Sequence, residues 1–324
     1  MKKALIFGIS GQDGSYLAKF LIEKGYLVLG TSRNANIKNL QNLQLLGIYG
    51  STSTISLNLN NYDEIIDLLE QYCPDEIYYL AGQSSVSVSF EQPLETIESC
   101  TSALINILEA VKSSRNHVKL YHASSSECFG ELQGRVATEH TSFEPRSPYA
   151  IAKASSHWLI KNYRDAQDLF LCNGILFNHE SPLRPANFVT KKIVSAACRI
   201  ANGSKEKLNL GRLDISRDWG WAPEYVEAMW RMLQMDSPDD YIIATGKTHS
   251  LKDFVRYTFE YLTLNWQDHV EINKSLFRGT DITSNTADPS YAEKKLKWKA
   301  SLHMYDVIKN MINAEANLLK SKSK

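Results

Sequence analysis

The chain has 324 residues, 43% hydrophobic and 22% charged. That globular composition excludes a disordered, collagen-like or coiled-coil chain, and the length predicts two lobes. Lys and Arg total 36 and Asp and Glu total 36; the balance excludes a broad nucleic-acid footprint or a polybasic membrane surface but leaves room for a small cationic pocket. No apolar run approaches the roughly 18 residues of a membrane span. The N-terminal apolar run breaks at Gln12 and Asp13, too early for a secretory leader, so a cytoplasmic protein without membrane partners is expected. The five cysteines are scattered and odd in number, so neither a disulfide framework nor a metal site is expected.

In chain order, Ala4–Phe7 reads as a buried strand. A helix is predicted over Gln12–Lys24, with Tyr16, Leu17, Phe20 and Leu21 on one face and Gly25 as its stop. Strands are predicted at Tyr26–Gly30, weakly at Ile55–Leu59, at Glu76–Ala81, Val118–Ala123 and Leu169–Phe177. Helices are predicted between them at Tyr62–Tyr72, Thr101–Lys112 and Ser147–Tyr163. This alternation, with buried non-alternating strands, predicts an α/β fold: a Rossmann-like, doubly wound parallel sheet over residues 1–177. From residue 178 to 324 the pattern breaks into loops, helices at Phe188–Ala201, Ala222–Gln234 and Leu251–Leu262, and a short strand at Tyr241–Ala244. That portion reads as a smaller mixed α/β lobe for substrate, whose elements can interleave with the first. The tail from Lys320 to Lys324 reads as solvated.

The turn after the first strand carries Gly8, Gly11 and Gly14 with Ser10, Gln12 and Asp13 between them. Gly8 permits the tight turn, Gly11 lets backbone approach a pyrophosphate, and Gly14 lets the helix lie close to the sheet. The helix N-terminus then offers free N–H groups to an anion. A dinucleotide-binding protein that takes NAD places an acid after the second strand; here Thr31, Ser32 and Arg33 stand instead. Arg33 suits a 2′-phosphate, so NADP is the expected cofactor. Asn58 and Leu59 are placed near the adenine. Leu80, Ala81, Gln83 and Ser84 follow the fourth strand, where small residues suit close approach to the cofactor.

Tyr149 and Lys153 stand four apart on a predicted helix and share a face. A lysine ammonium beside a phenol lowers its pKa, and the lysine also reaches the nicotinamide ribose, which makes a base able to take a proton from a sugar hydroxyl. The fifth strand ends in Ser124, Ser125, Ser126 and Glu127. Ser125 and Glu127, two apart in extended chain, point to one side. A hydroxyl orients substrate, and a carboxylate adds a second proton transfer, as elimination requires. Cys128 beside them lacks an activating pattern and reads as a core thiol.

With these motifs in place, the chain resembles the extended short-chain dehydrogenase/reductases, and within them the GDP-mannose 4,6-dehydratase family. The pieces that carry the resemblance are Gly8–Gly14, Ser124–Gly130, Pro145–Lys153, Gly174–Pro182, Phe188–Ile193, Arg217–Gly220, Asp240–Gly246 and Asp288–Trp298. The resemblance implies internal hydride transfer from C4 to C6 of GDP-mannose through NADP, with loss of water and no net cofactor consumption. It implies Ser125, Glu127, Tyr149 and Lys153 as catalytic residues, and His179 and Arg184 as cofactor contacts beside those above. On the substrate side it implies Ser84, Ser85, Glu127, Asn178, Val189, Lys192, Gly211, Arg217 and Arg278. It further implies a homodimer or homotetramer. Ser125 stands where the family usually has threonine, Leu183 replaces an arginine, and Ser32, Arg33 and Asn34 replace a segment that builds the family's tetramer. Other readings are a dehydratase of a related GDP-sugar such as a GDP-manno-heptose, an NADPH-dependent reductase or epimerase of a nucleotide sugar, and a non-catalytic NADP-binding protein.

Overall fold

The computed structural model describes residues 1–114, 117–277 and 280–322. The strands in chain order are β1 (Lys3–Phe7), β2 (Leu27–Ser32), β3 (Ser53–Ser56), β4 (Glu76–Tyr79), β5 (Lys119–Ser125), β6 (Leu171–Leu176), β7 (Asn178–Glu180), β8 (Leu208–Leu210), β9 (Ser216–Trp221), β10 (Asp240–Ile243), β11 (Thr248–Ser250) and β12 (Val270–Ile272). The helices are α1 (Gln12–Glu23), α2 (Gln41–Leu45), α3 (Tyr62–Tyr72), α4 (Val86–Glu91), α5 (Pro93–Ile97), α6 (Ala103–Ser113), α7 (Pro148–Gln167), α8 (Val189–Ala201), α9 (Ala222–Leu233), α10 (Leu251–Tyr261), α11 (Ser290–Leu296) and α12 (Met304–Lys322).

Seven strands form one sheet in the order β10-β6-β5-β4-β1-β2-β3, every pair parallel. Alternate side chains of β1 divide between the two faces. Ala4 and Ile6 pack with α1 and α9 residues such as Leu17, Leu21 and Met229, while Leu5 and Phe7 pack with Ile65, Leu104 and Ile107. Burial on both faces is why these strands read as continuous apolar runs. The third strand differs from its expected position. Its pairing with β2 runs from Leu29↔Ser53 to Ser32↔Ser56, so β3 ends where β2 ends, and 57–59 continue as a loop that begins with the buried Leu57.

After residue 178 the chain contributes both to this sheet and to a lobe of its own. β10 returns to pair with β6, and α9 packs on the α1 face. The lobe core joins α8, α10 and α12 through Ile193, Phe254 and Met311, around a small sheet of β7, β9 and β11. α12 buries Met304, Val307, Ile308, Met311 and Ile312. That 3-and-4 spacing is a helical pattern visible in the sequence, whereas α4 and α5, with one buried residue each, carry no such pattern. Among the described residues, no helix is long and apolar enough to cross a membrane, and no cluster of three or more His, Cys, Asp or Glu could hold a metal ion.

Candidate active site

The strand order reverses between β1 and β4, and a parallel sheet opens a crevice at the carboxyl ends of its strands there. A cleft of about 420 Å³ lies at that point, lined by Gly8, Ser10, Gly11, Arg33, Asn58, Leu59, Leu80, Ala81 and Gln83 among others. These nine expected cofactor residues thus share one cavity. Thr31, Ser32, Asn60, Glu95, Glu98 and Ser99 line it as well. Glu95, Glu98 and Ser99 lie in a stretch to which the strand–helix pattern assigned no element.

Geometry explains the three glycines. Gly8 sits at φ +90°, and a Cβ there would lie 2.8 Å from the Ala81 nitrogen. A Cβ on Gly14 would lie 2.3 Å from the Gly8 oxygen and 2.7 Å from Ile9 Cα. A Cβ on Gly11 would meet only the Gly8 oxygen, at 3.4 Å, and otherwise project into the open. Gly11 caps α1 with no side-chain hydrogen bond, so the first N–H groups of the helix remain available to an anion. A diphosphate fits this cradle.

Gln12 and Asp13 turn away from the cleft toward β7. Gln12 donates to the His179 carbonyl at 3.2 Å and accepts from Ser181 Oγ at 2.8 Å. Asp13 lies 2.8 Å from His179 Nε2, and His179 Nδ1 lies 2.7 Å from the Phe177 carbonyl. Burial pushes the Asp13 carboxyl up, but His179 and Arg184 outweigh it and hold the group down at about 2. Arg184 grips the buried Glu180 at 2.7 Å and also bonds the His179 carbonyl. Thus the glycine loop and the Asn178–Arg184 segment are locked together. Arg33, 86% exposed, pairs with Glu95 at 2.7 Å at the cleft rim.

At the end of β5, Ser125 Oγ accepts from the Glu127 N–H at 3.2 Å and hydrogen-bonds Tyr149. Ser147 caps α7 by accepting from the Ala150 N–H at 3.1 Å, with Pro148 in the first turn. This start directs Tyr149 and Lys153, both buried, at the β5 terminus. Here one expectation is corrected. Burial pushes the Tyr149 phenol above its ordinary value, the Ser125 hydrogen bond opposing, and the Lys153 ammonium donates to the Ala123 carbonyl at 2.9 Å. Sharing a helix face did not suffice to lower the phenol, because desolvation dominates. Cys128 is fully buried, and burial pushes its thiol up to about 12, as a core role requires.

On the substrate side, Glu127 Oε1 lies 3.9 Å from Arg217 Nε. Arg217 is fixed through its terminal nitrogen to the carbonyls of Ser216 and Ile282, both at 2.9 Å. Asn178 is half-buried at the start of β7, and Val189 is partly exposed at the start of α8. Lys192 donates to the Asn209 carbonyl at 2.7 Å. Gly211 lies against Leu276, where a Cβ would sit 3.1 Å from its carbonyl oxygen. Ser84 is exposed, and Ser85 caps α4 by accepting from the Val88 N–H at 3.4 Å. Arg278 lies outside the described residues. Asp218, which sequence reasoning passed over, is buried and accepts from the N–H groups of Thr245 and Lys247, both at 3.1 Å; burial raises it to about 6.

Residues 5–311 match the family model described as GDP-mannose 4,6 dehydratase. The chain is 45% identical to GDP-mannose 4,6 dehydratase 1 of Arabidopsis thaliana, over 98% of this chain and 91% of that protein. It is 37% identical to the GDP-mannose 4,6-dehydratase of Vibrio cholerae, over 96% of this chain and 93% of that one. Among solved structures, dTDP-glucose 4,6-dehydratase from Bacillus anthracis in complex with NAD superposes with a TM-score of 0.86 at 17% identity, covering 99% of this chain and 98% of that one.

Proposed function

Because the chain belongs to the GDP-mannose 4,6-dehydratase family, we propose that it converts GDP-mannose to GDP-4-keto-6-deoxy-mannose and water. Residues 1–177 hold the cofactor, and the lobe after residue 178 receives the sugar nucleotide. The cofactor is NADP; the α1 N-terminus and Gly11 would hold its diphosphate, and Arg33 would exchange Glu95 for its 2′-phosphate. When bound, the cofactor would supply a hydride acceptor for sugar C4 and a hydride donor for C6.

The chain's own residues handle the protons. Tyr149 would take the C4 hydroxyl proton as the phenolate, with Ser125 Oγ orienting that oxygen; burial opposes that form in the ligand-free protein, so the cationic charge near the ring, from Lys153 and the bound cofactor, would have to draw the phenol down. Lys153 keeps two N–H donors beyond the one on Ala123 to stabilise the phenolate and reach the ribose. Oxidation at C4 acidifies C5. Glu127 takes the C5 proton and delivers it to the departing C6 hydroxyl, so the elements of water leave. Hydride addition at C6 and proton addition at C5 would complete the product; the C5 proton matches the one Tyr149 took from the C4 hydroxyl and must release to reset, so protons balance and there is no net redox change.

The observation that carries this reading is Glu127, whose N–H bonds Ser125 Oγ at 3.2 Å and whose carboxylate lies 3.9 Å from Arg217. A reductase or epimerase needs the hydroxyl, phenol and lysine but has no use for that carboxylate. The test is mass spectrometry of GDP-mannose incubated with the protein and no added reductant, expecting loss of one water. Glu127→Gln should slow turnover by about 10²–10⁴-fold. A variant with full turnover refutes the assignment, and steady NADPH consumption favours a reductase.

The protein is further proposed to be a homodimer. Phe90, Leu94, Ile97, Ile151 and Trp158 are exposed on α4, α5 and α7, which pack together. A two-fold copy of the same helices would cover them.

A further inference from the structure

Asn285 lies in the segment between β12 and α11 and is fully buried. Its backbone N–H donates to the Ser216 carbonyl at the start of β9, at 3.3 Å. Its side-chain Nδ2 reaches the other way and donates to the Ser126 carbonyl at 3.2 Å. That carbonyl and the Glu127 N–H belong to one planar peptide unit, and the N–H donates to Ser125 Oγ at 3.2 Å. The peptide between the hydroxyl and the carboxylate is therefore held from both edges, by Ser125 on one and by Asn285 on the other.

The same segment holds the opposing cation. Ile282 supplies a carbonyl to Arg217 at 2.9 Å, and the Thr283 N–H donates to Glu131 at 2.6 Å. Residues 282–285 thus join Arg217 to the turn that carries Glu127. A second observation is independent of these bonds. Asn285 Oδ1 is buried and has no hydrogen-bond partner among the described residues. Flipping the amide would set that oxygen against the Ser126 carbonyl, so the orientation is determined. An orphaned buried oxygen costs stability, and an apolar side chain of similar volume would avoid the cost. What the amide alone provides is the donor to Ser126.

We infer that Asn285 is a positioning residue that clamps the Ser126–Glu127 peptide and thereby aims Ser125 Oγ and the Glu127 carboxylate. The step it serves, removal of the sugar C5 proton, rests on the dehydratase reading; the clamping of the peptide does not.

The test is Asn285→Leu, with Asn285→Met supplying the same comparison should the branched side chain prevent folding. The unfolding temperature should change little, because loss of the orphaned Oδ1 offsets the Ser126 carbonyl left without its donor, while amide hydrogen exchange at Glu127 accelerates about ten-fold or more. With GDP-mannose, kcat should fall about ten-fold or more at unchanged KM, since misplacement acts on chemistry rather than binding. On rapid mixing, absorbance at 340 nm should accumulate in the variant as C4 oxidation outruns C5 proton loss. Unchanged exchange at Glu127 in a folded variant overturns the clamp whatever the substrate is. Faster exchange with unchanged kcat overturns its tie to catalysis. A native protein that leaves GDP-mannose intact sinks the dehydratase reading, and the exchange result alone then upholds or overturns the clamp.

Discussion

Gly11→Ala and Gly14→Ala, three residues apart in one loop, should fail in different ways. At Gly14 the new Cβ would lie 2.3 Å and 2.7 Å from backbone atoms of Gly8 and Ile9. Neither neighbour is the flexible end of a side chain. Restoring van der Waals distance requires about 1 Å of backbone movement between β1 and α1, in a region packed at crystal-like density. Overpacking of this kind costs about 1–3 kcal/mol, and the displaced helix N-terminus should also lose cofactor. At Gly11 the backbone sits at φ −71°, ψ 172°, open to any residue, and the Cβ touches only one atom at 3.4 Å. Alanine there should stabilise the ligand-free protein by about 0.4–1 kcal/mol by restricting the unfolded chain. Yet it should weaken NADP binding about ten-fold or more, roughly 1.4 kcal/mol, by filling the cradle. Urea denaturation without cofactor and calorimetric titration with NADP measure the two quantities separately. Wild-type affinity in Gly11→Ala would refute the cradle, and wild-type stability in Gly14→Ala would refute the steric reasoning.

Two further outcomes follow from the surface and the loop. The Asp13 carboxyl is held at about 2 instead of 3.8, so folding favours its ionised form by about 2 kcal/mol. A lowered folded value means the stabilisation is complete above the unfolded value and is lost as pH falls through about 2. Asp13→Asn should therefore cost about 2 kcal/mol near pH 5, where the carboxylate faces the charged imidazole, with the gap closing below about pH 4; a gap equal at pH 5 and pH 3 contradicts this. Leu94→Glu combined with Trp158→Glu should convert a dimer to a monomer in light scattering at micromolar concentration, and a native protein already monomeric there would reject the dimer.

Local rules made much of this molecule legible. Gly8, Gly11 and Gly14 sit between a strand and a helix, and each glycine has a distinct steric reason that spacing alone suggested. Tyr149 and Lys153 could be placed on one helix face because 3.6 residues make a turn. Ser125 and Glu127 could be placed on one side of an extended end because strands alternate. Boundaries set by partners were less legible: β3 stops at Ser56 because β2 offers no partner beyond Ser32.

What the sequence by itself determined is the inventory: an α/β alternation, a dinucleotide loop, and a hydroxyl, carboxylate, phenol and lysine in workable order. These rest on backbone periodicity and on residue chemistry, which act over a few positions. What only the tertiary structure decided is which charges and hydrogen bonds those groups meet. The Asp13–His179 pair spans 166 positions and Asn285 to Ser126 spans 159. The phenol of Tyr149 stands above its ordinary value because burial, a property of the whole packed interior, outweighs the Ser125 hydrogen bond. Desolvation and long-range contact depend on the assembled volume around a group, and no local window of sequence contains that volume.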